Sequence, residues 1–224
     1  MARQSYQDQL DDLREDVLYM SELVIDRYRM GLEALERQDE DLAWRVIEGD
    51  DEVNELYLDL EGDCVDLVAL QQPVASDLRF IAASFKIITD LERVGDLATN
   101  LGDYTLDATK SRFPDVDVQA IGDLAREMLE DAMVAYAEED VAACRELAER
   151  DDELDRLCTE ASRAVVRDLI ERELDGTEVD VEDLLVDVSR LLLTIRDIER
   201  IGDHAVNVAA RTLYMVENDD ELLY

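Results

Sequence analysis

Two segments of this chain carry residues whose types and spacing point to chemistry. The first is Asp90-Leu91-Glu92-Arg93-Val94-Gly95-Asp96-Leu97-Ala98-Thr99-Asn100, and it recurs as Asp197-Ile198-Glu199-Arg200-Ile201-Gly202-Asp203-His204-Ala205-Val206-Asn207. Seven of the eleven positions are identical, and the copies lie 107 residues apart in a chain of 224. On a helix, Glu92 and Asp96 fall one turn apart on one side, as do Glu199 and Asp203. Asn100 and Asn207 follow a turn later. Carboxylate, carboxylate and amide oxygens in one column make a hard-ligand surface suited to Mg²⁺, Mn²⁺, Fe or Ca²⁺, with Zn²⁺ kept open.

One helix cannot fill a coordination sphere. The preceding helix of each half offers acidic residues as second contributors, Asp51 and Glu55 in the first half and Asp152 and Asp155 in the second. Asp50 and Asp151 are the alternatives. The apolar seam of the signature helices sharpens this reading. Leu78, Ile81, Phe85 and Ile88 lead by steps of four and three to Glu92, Gly95 and Thr99, and Leu185, Val188, Leu192 and Ile195 lead to Glu199, Gly202 and Val206. A carboxylate on a core stripe costs several kcal/mol unless paired or metal-bound. A mid-helix glycine costs about 1 kcal/mol relative to alanine, and lets another backbone or a bulky ligand approach. The competing reading of any single acidic pair is plain surface charge, neutralised in part by Arg93 and Arg200. His204, the one histidine, faces Leu97 in the repeat and so lies outside the shared apparatus. No glycine-rich phosphate loop appears, and no Ser-His-Asp or Cys-His arrangement can be built symmetrically. The Glu-x-x-His pairs of a di-iron bundle are missing as well.

Helices must position these groups. Tyr6, Leu10, Leu13, Val17, Met20 and Val24 form one seam of a helix over 5–37. Further helices are predicted over 41–70, 77–109, 117–137, 141–173 and 181–217. Pro73 breaks the second from the third, and Ser76 or Asp77 is placed to cap the third. Residues 111–115 read as a linker, and Gly176 as a helix end. Asp39–Val53 aligns with Asp140–Leu154 at an offset of 101 with five identities in fifteen positions, in the same order relative to the signature. The expected fold is all-α, with six long helices in two tandem three-helix bundles, 1–110 and 116–224, related by a pseudo-twofold axis.

Composition narrows the function. The net charge is −37, and lysine occurs only at Lys86 and Lys110. So large a charge with so little lysine reads as adaptation to a very saline cytoplasm, where screening over ~3 Å at 1 M salt shortens self-repulsion. It argues against nucleic-acid binding, which needs basic clusters. Cys64, Cys144 and Cys158 lack zinc-type spacing and are expected as free thiols. No signal peptide and no run of ~20 apolar residues is present, so a soluble cytoplasmic protein is expected.

The stretches Gln71-Gln72-Pro73-Val74-Ala75-Ser76-Asp77-Leu78-Arg79-Phe80-Ile81, Asp90–Asp96 and Ile198–Asn207 resemble the PhoU family, regulators of phosphate-specific transport. The resemblance spans essentially the whole chain. It implies two similar three-helix bundles and metal ions or clusters held at Glu92 and Asp96 and at Glu199 and Asp203, with Asn100 and Asn207 matching the trailing asparagine. It also implies a non-enzymatic negative regulator that acts on the phosphate ABC transporter through its ATPase subunit. A membrane sensor kinase and a second copy of the chain are the further candidate partners. A metal-dependent hydrolase or a metal-storage bundle is the alternative function.

Overall fold

The computed structural model describes residues 2–71, 73–107, 116–174 and 181–222. Among them the only regular elements are helices: α1 Ala2–Arg37, α2 Glu40–Glu48, α3 Asp50–Gln71, α4 Ala75–Leu106, α5 Val118–Glu138, α6 Val141–Leu174 and α7 Val181–Glu217. The sequence-predicted helix over 41–70 is interrupted at Gly49 to give α2 and α3. Arg27 of α1 occupies the break. Its buried guanidinium crosses the glycine to reach Glu52 Oε2 at 2.6 Å, and a Cβ at Gly49 would fall 1.2 Å from Arg27 Nη1. In the second half Arg150 aligns with Gly49, and α6 runs unbroken.

The backbone repeats as the sequence does. Gln38 and Glu139, 101 residues apart, both take left-handed φ values, 53° and 57°. Each precedes a capping aspartate. Asp39 Oδ1 accepts from the Leu42 N–H at 3.0 Å, and Asp140 Oδ1 accepts from Ala142 and Ala143 at 2.9 and 3.1 Å. At the start of α4 the expectation fails. Neither Ser76 nor Asp77 caps it; the helix begins at Ala75, straight after an extended Val74 without a side-chain cap. Pro73 and Val74 already turn the chain, so the Ser76 hydroxyl bonds the Asp77 carboxylate instead, at 3.3 Å. The expected linker over 111–115 and the break at Asp175–Thr177 lie outside the described residues.

Helices α1, α2–α3 and α4 form one bundle, and α5, α6 and α7 the other. The halves meet where α4 packs on α7 and α1 on α5, in the pseudo-twofold arrangement expected. The α1 seam from Tyr6 to Val24 is buried throughout and continues to Tyr28 and Leu32. Each fully buried large apolar side chain contributes about 1.5–3 kcal/mol. Polar contacts fix how the halves dock. Tyr28 Oη donates to the Gly122 carbonyl at 3.0 Å, and Ser84 Oγ lies 2.7 Å from Tyr136 Oη. The Tyr136 ring stacks on Phe80, which in turn lies under the Arg14 guanidinium. All three cysteines are buried free thiols, and burial pushes Cys64 and Cys158 up to about 12 and Cys144 up to about 11.

Candidate metal site

The seam inferred from sequence divides into two depths. Ile81, Ile88 and Gly95 of α4 are buried, whereas Leu78 is exposed and Phe85, Glu92 and Thr99 are half-buried. In α7, Val188, Ile195 and Gly202 are buried, Leu185 is exposed, and Leu192, Glu199 and Val206 are half-buried. The glutamates therefore lie on the rim of the α3–α4 and α6–α7 contacts rather than in the deep core. The heptad step of the rim (78, 85, 92, 99) runs beside that of the core (81, 88, 95), and a seam drawn by threes and fours mixes the two.

The glycines admit a side chain of the preceding helix. A Cβ at Gly95 would meet Val53 Cγ1 at 3.2 Å, and one at Gly202 would meet Leu154 Cδ2 at 2.2 Å and Asp151 Oδ1 at 3.3 Å. Close packing here brings the start of α3, and its counterpart on α6, against the signature helices. The acidic residue that arrives is Asp50 in the first half and Asp151 in the second. Asp51, Glu55 and Asp152 are exposed. A helix turns about 100° per residue, so with Asp50 against α4 its neighbour Asp51 is turned away.

In the first half, Glu92, Asp96 and Asp50 share one electrostatic neighbourhood. Burial, then Asp96, raises the Glu92 carboxyl; burial, then Asp50, raises that of Asp96; Arg93 opposes both shifts. Arg93 lies 3.5 Å from Glu92 and 3.4 Å from Asp96. Asp50 accepts from Asn54 Nδ2 at 2.8 Å and lies 3.2 Å from Thr99 Oγ1, whose one proton is shared with the Gly95 carbonyl at 3.1 Å. In the second half Val206 replaces Thr99 and Asp155 replaces Asn54. Asp151 Oδ1 is consequently buried without a hydrogen-bond partner. Burial, reinforced by Asp155, Asp203, Asp152 and Glu199, pushes the Asp151 carboxyl up to about 6. Glu199 and Asp203 are raised as well, by burial and then by Asp155.

The trailing asparagines reach the other half of the molecule. Asn100 Nδ2 donates to Asp197 Oδ2 at 3.1 Å, and Asn207 Nδ2 donates to Asp90 Oδ1 at 3.2 Å. The last residue of each signature thus binds the first residue of the other. Asp197 is fully buried and also accepts from Tyr104 Oη at 2.8 Å and from Arg196 Nη2 at 2.9 Å. His204 Nδ1 lies 2.9 Å from Asp90 Oδ1, so this half-buried side chain belongs to the same brace.

This duplicated frame can be set against known proteins. A PhoU domain matches twice, over residues 17–105 and 118–212. The chain belongs to the PhoU family. It is 30% identical over 219 residues to a phosphate-specific transport system accessory protein PhoU homolog of Clostridium acetobutylicum, covering 96% of each chain. It is 32% identical over 220 residues to a homolog of the same description from Pseudomonas aeruginosa, covering 97% of this chain and 87% of that one. The crystal structure of PhoU from Pseudomonas aeruginosa superposes with a TM-score of 0.86 at 30% identity, over 96% of this chain and all of that one. The regulatory protein PhoU of Streptococcus pneumoniae shares the fold, with a TM-score of 0.83 at 24% identity and 96% of this chain covered.

Within this PhoU-family chain the oxygen-rich groupings suit a hard cation, and the orphaned Asp151 oxygen is the clearest vacant acceptor. Among the described residues no three carboxylate, imidazole or thiolate groups stand ready-made to hold a metal ion. The alternatives read from the sequence, Asp50 and Asp151, are the ones that the apolar spacing favours. Asp50 follows Val46 by four and precedes Val53 by three, and Asp151 stands in the same relation to Leu147 and Leu154.

Proposed function

We propose that the chain is a non-enzymatic negative regulator of phosphate uptake and phosphate signalling, a cation-binding adaptor that acts on the ATPase subunit of a phosphate ABC transporter. The observation that carries the cation reading is the pair of equivalent acidic rims, each set by a buried glycine against a helix bearing a further aspartate. Glu92, Asp96 and Asp50 would hold one cation, and Glu199, Asp203, Asp151 and Asp155 the other. A bound cation supplies positive charge that offsets the mutual repulsion of these carboxylates and lets an acidic surface meet a partner. The adaptor reading draws on the relatives, which are described as accessory proteins of phosphate-specific transport. The cysteines offer no ready thiolate nucleophile, since burial pushes Cys64 and Cys158 up to about 12. Among the described residues no helix is long and apolar enough to cross a membrane.

The test is capture of the transporter ATPase subunit by the full-length chain, in Mn²⁺ and in chelator, beside phosphate uptake in cells. The combined variant Glu92→Ala, Asp96→Ala, Glu199→Ala, Asp203→Ala is expected to lose capture and to release uptake from restraint under high phosphate. Capture and uptake unchanged in that variant contradict the proposal. Turnover of a phosphate ester that depends on those four residues would establish the hydrolase alternative.

A further inference from the structure

Helix α3 carries two apolar seams, and the bundle uses one. Val53, Leu60, Cys64 and Leu67 are buried against α1 and α4. A second set, Leu58, Gly62, Val65 and Ala69, recurs at steps of four, three and four on the outer side, with Leu58 63% and Val65 54% exposed. This is the spacing with which one helix receives another. The set borders a groove of about 410 Å³ between α3 and α4, lined by Val65, Val68, Leu78, Ala82, Phe85 and their neighbours. A Cβ at Gly62 would meet nothing within 4 Å, so the middle of the seam is open to close approach.

Charge identifies the occupant. From Leu58 to Ala69 the helix bears four carboxylates (Asp59, Glu61, Asp63 and Asp66) and no lysine or arginine, and the cation lining the groove is the single Lys86 of α4. A second copy of this chain, or an anionic lipid surface, would bring like charge to that helix. The second half keeps apolar residues at two of the four positions, Val166 and Ile170, but Thr159 aligns with Leu58 and Arg163 with Gly62, so a long cationic side chain stands where the first half has an open glycine. We infer that the outer seam of α3 is a docking surface for one amphipathic helix of another protein, with an apolar stripe at heptad spacing flanked by arginine or lysine. The inference is independent of the cation sites, since no group of the seam belongs to them.

The probe is a fluorescent helical peptide of about 21 residues, three heptads, with leucine at a and d and arginine at e and g. A permuted peptide of equal composition, with the leucines off register, controls for general attraction to an acidic protein. Titrations use the full-length chain and two variants. Gly62→Arg installs the residue that the second half carries, in open space and at a position where any side chain favours the helix. Val65→Asp places a charge in the seam. Binding of the heptad peptide at least tenfold tighter than the permuted one, and weakened at least tenfold by either variant, is expected. Equal binding of the two peptides, or affinity unaltered by Gly62→Arg in a folded protein, overturns the inference. Sedimentation showing a dimer that Gly62→Arg dissociates also overturns it, in favour of a second copy. Binding to anionic vesicles that Gly62→Arg alters does so in favour of a membrane.

Discussion

Replacing Asp151 by asparagine tests the electrostatics of the second rim. The Asp151 carboxyl is pushed from 3.8 up to about 6, chiefly by burial. The native chain therefore holds that proton longer than the unfolded chain does. Between those two values the native state binds more protons, so stability falls as pH rises through the interval and stays reduced above it. A displacement of about two pKa units corresponds to roughly 3 kcal/mol. Solvent screening at a half-buried rim brings this to about 1–2 kcal/mol. Asparagine removes the charge and can donate to Asp155, as Asn54 does to Asp50 in the first half. Urea unfolding in chelator at pH 7.5 should show Asp151→Asn more stable than wild type by about 1–2 kcal/mol. The gain should shrink as pH falls below 6 and vanish near 4. In saturating Mn²⁺ the order should invert, because the bound cation makes the lost carboxylate an asset. A variant no more stable than wild type in chelator, or a gain that grows toward low pH, refutes this account of the rim.

Three further outcomes follow from the geometry. Gly202→Ala forces a methyl to 2.2 Å from the buried Leu154, whereas Gly95→Ala meets Val53 at 3.2 Å. Overpacking at about 1–3 kcal/mol outweighs the helix gain of about 1 kcal/mol only at Gly202, so thermal unfolding should show Gly202→Ala destabilised and Gly95→Ala close to neutral. Asp197→Ala removes the fully buried acceptor of the half-buried Asn100 and Tyr104 and should cost about 2–3 kcal/mol by urea unfolding, more than Asp90→Ala, whose carboxylate is 15% exposed. Asp155→Asn gives the second rim the residue of the first and should weaken Mn²⁺ binding there about tenfold by calorimetry, about 1.4 kcal/mol.

Much of the architecture was legible because it rests on period and repetition. The α1 seam, the signature copies and the recurrence of Asp39–Val53 as Asp140–Leu154 all followed from spacing. The features that sequence reasoning missed are set by contacts between elements. Gly49 marks a weak point of its helix in the sequence, but nothing near it announces that Arg27, more than twenty residues earlier, will cross it. Asn100 and Asn207 look like the tail of a ligand column, yet docking of the halves commits their amide N–H groups to Asp197 and Asp90. Asp50, named in the sequence only as the alternative to Asp51, is the one that Val46 and Val53 turn toward α4. The rim position of Glu92 and Glu199 depends on how α3 and α6 lean on their neighbours, which a single helix's pattern does not contain.

The central claim is that twin acidic rims hold cations, and its most direct measurement is metal per chain. Elemental analysis of protein equilibrated with Mn²⁺ and freed of unbound ion should give at least two ions per wild-type chain. The combined variant Glu92→Ala, Asp96→Ala, Glu199→Ala, Asp203→Ala should give close to none while keeping its helical circular dichroism. Equal metal in the two folded proteins would contradict the account.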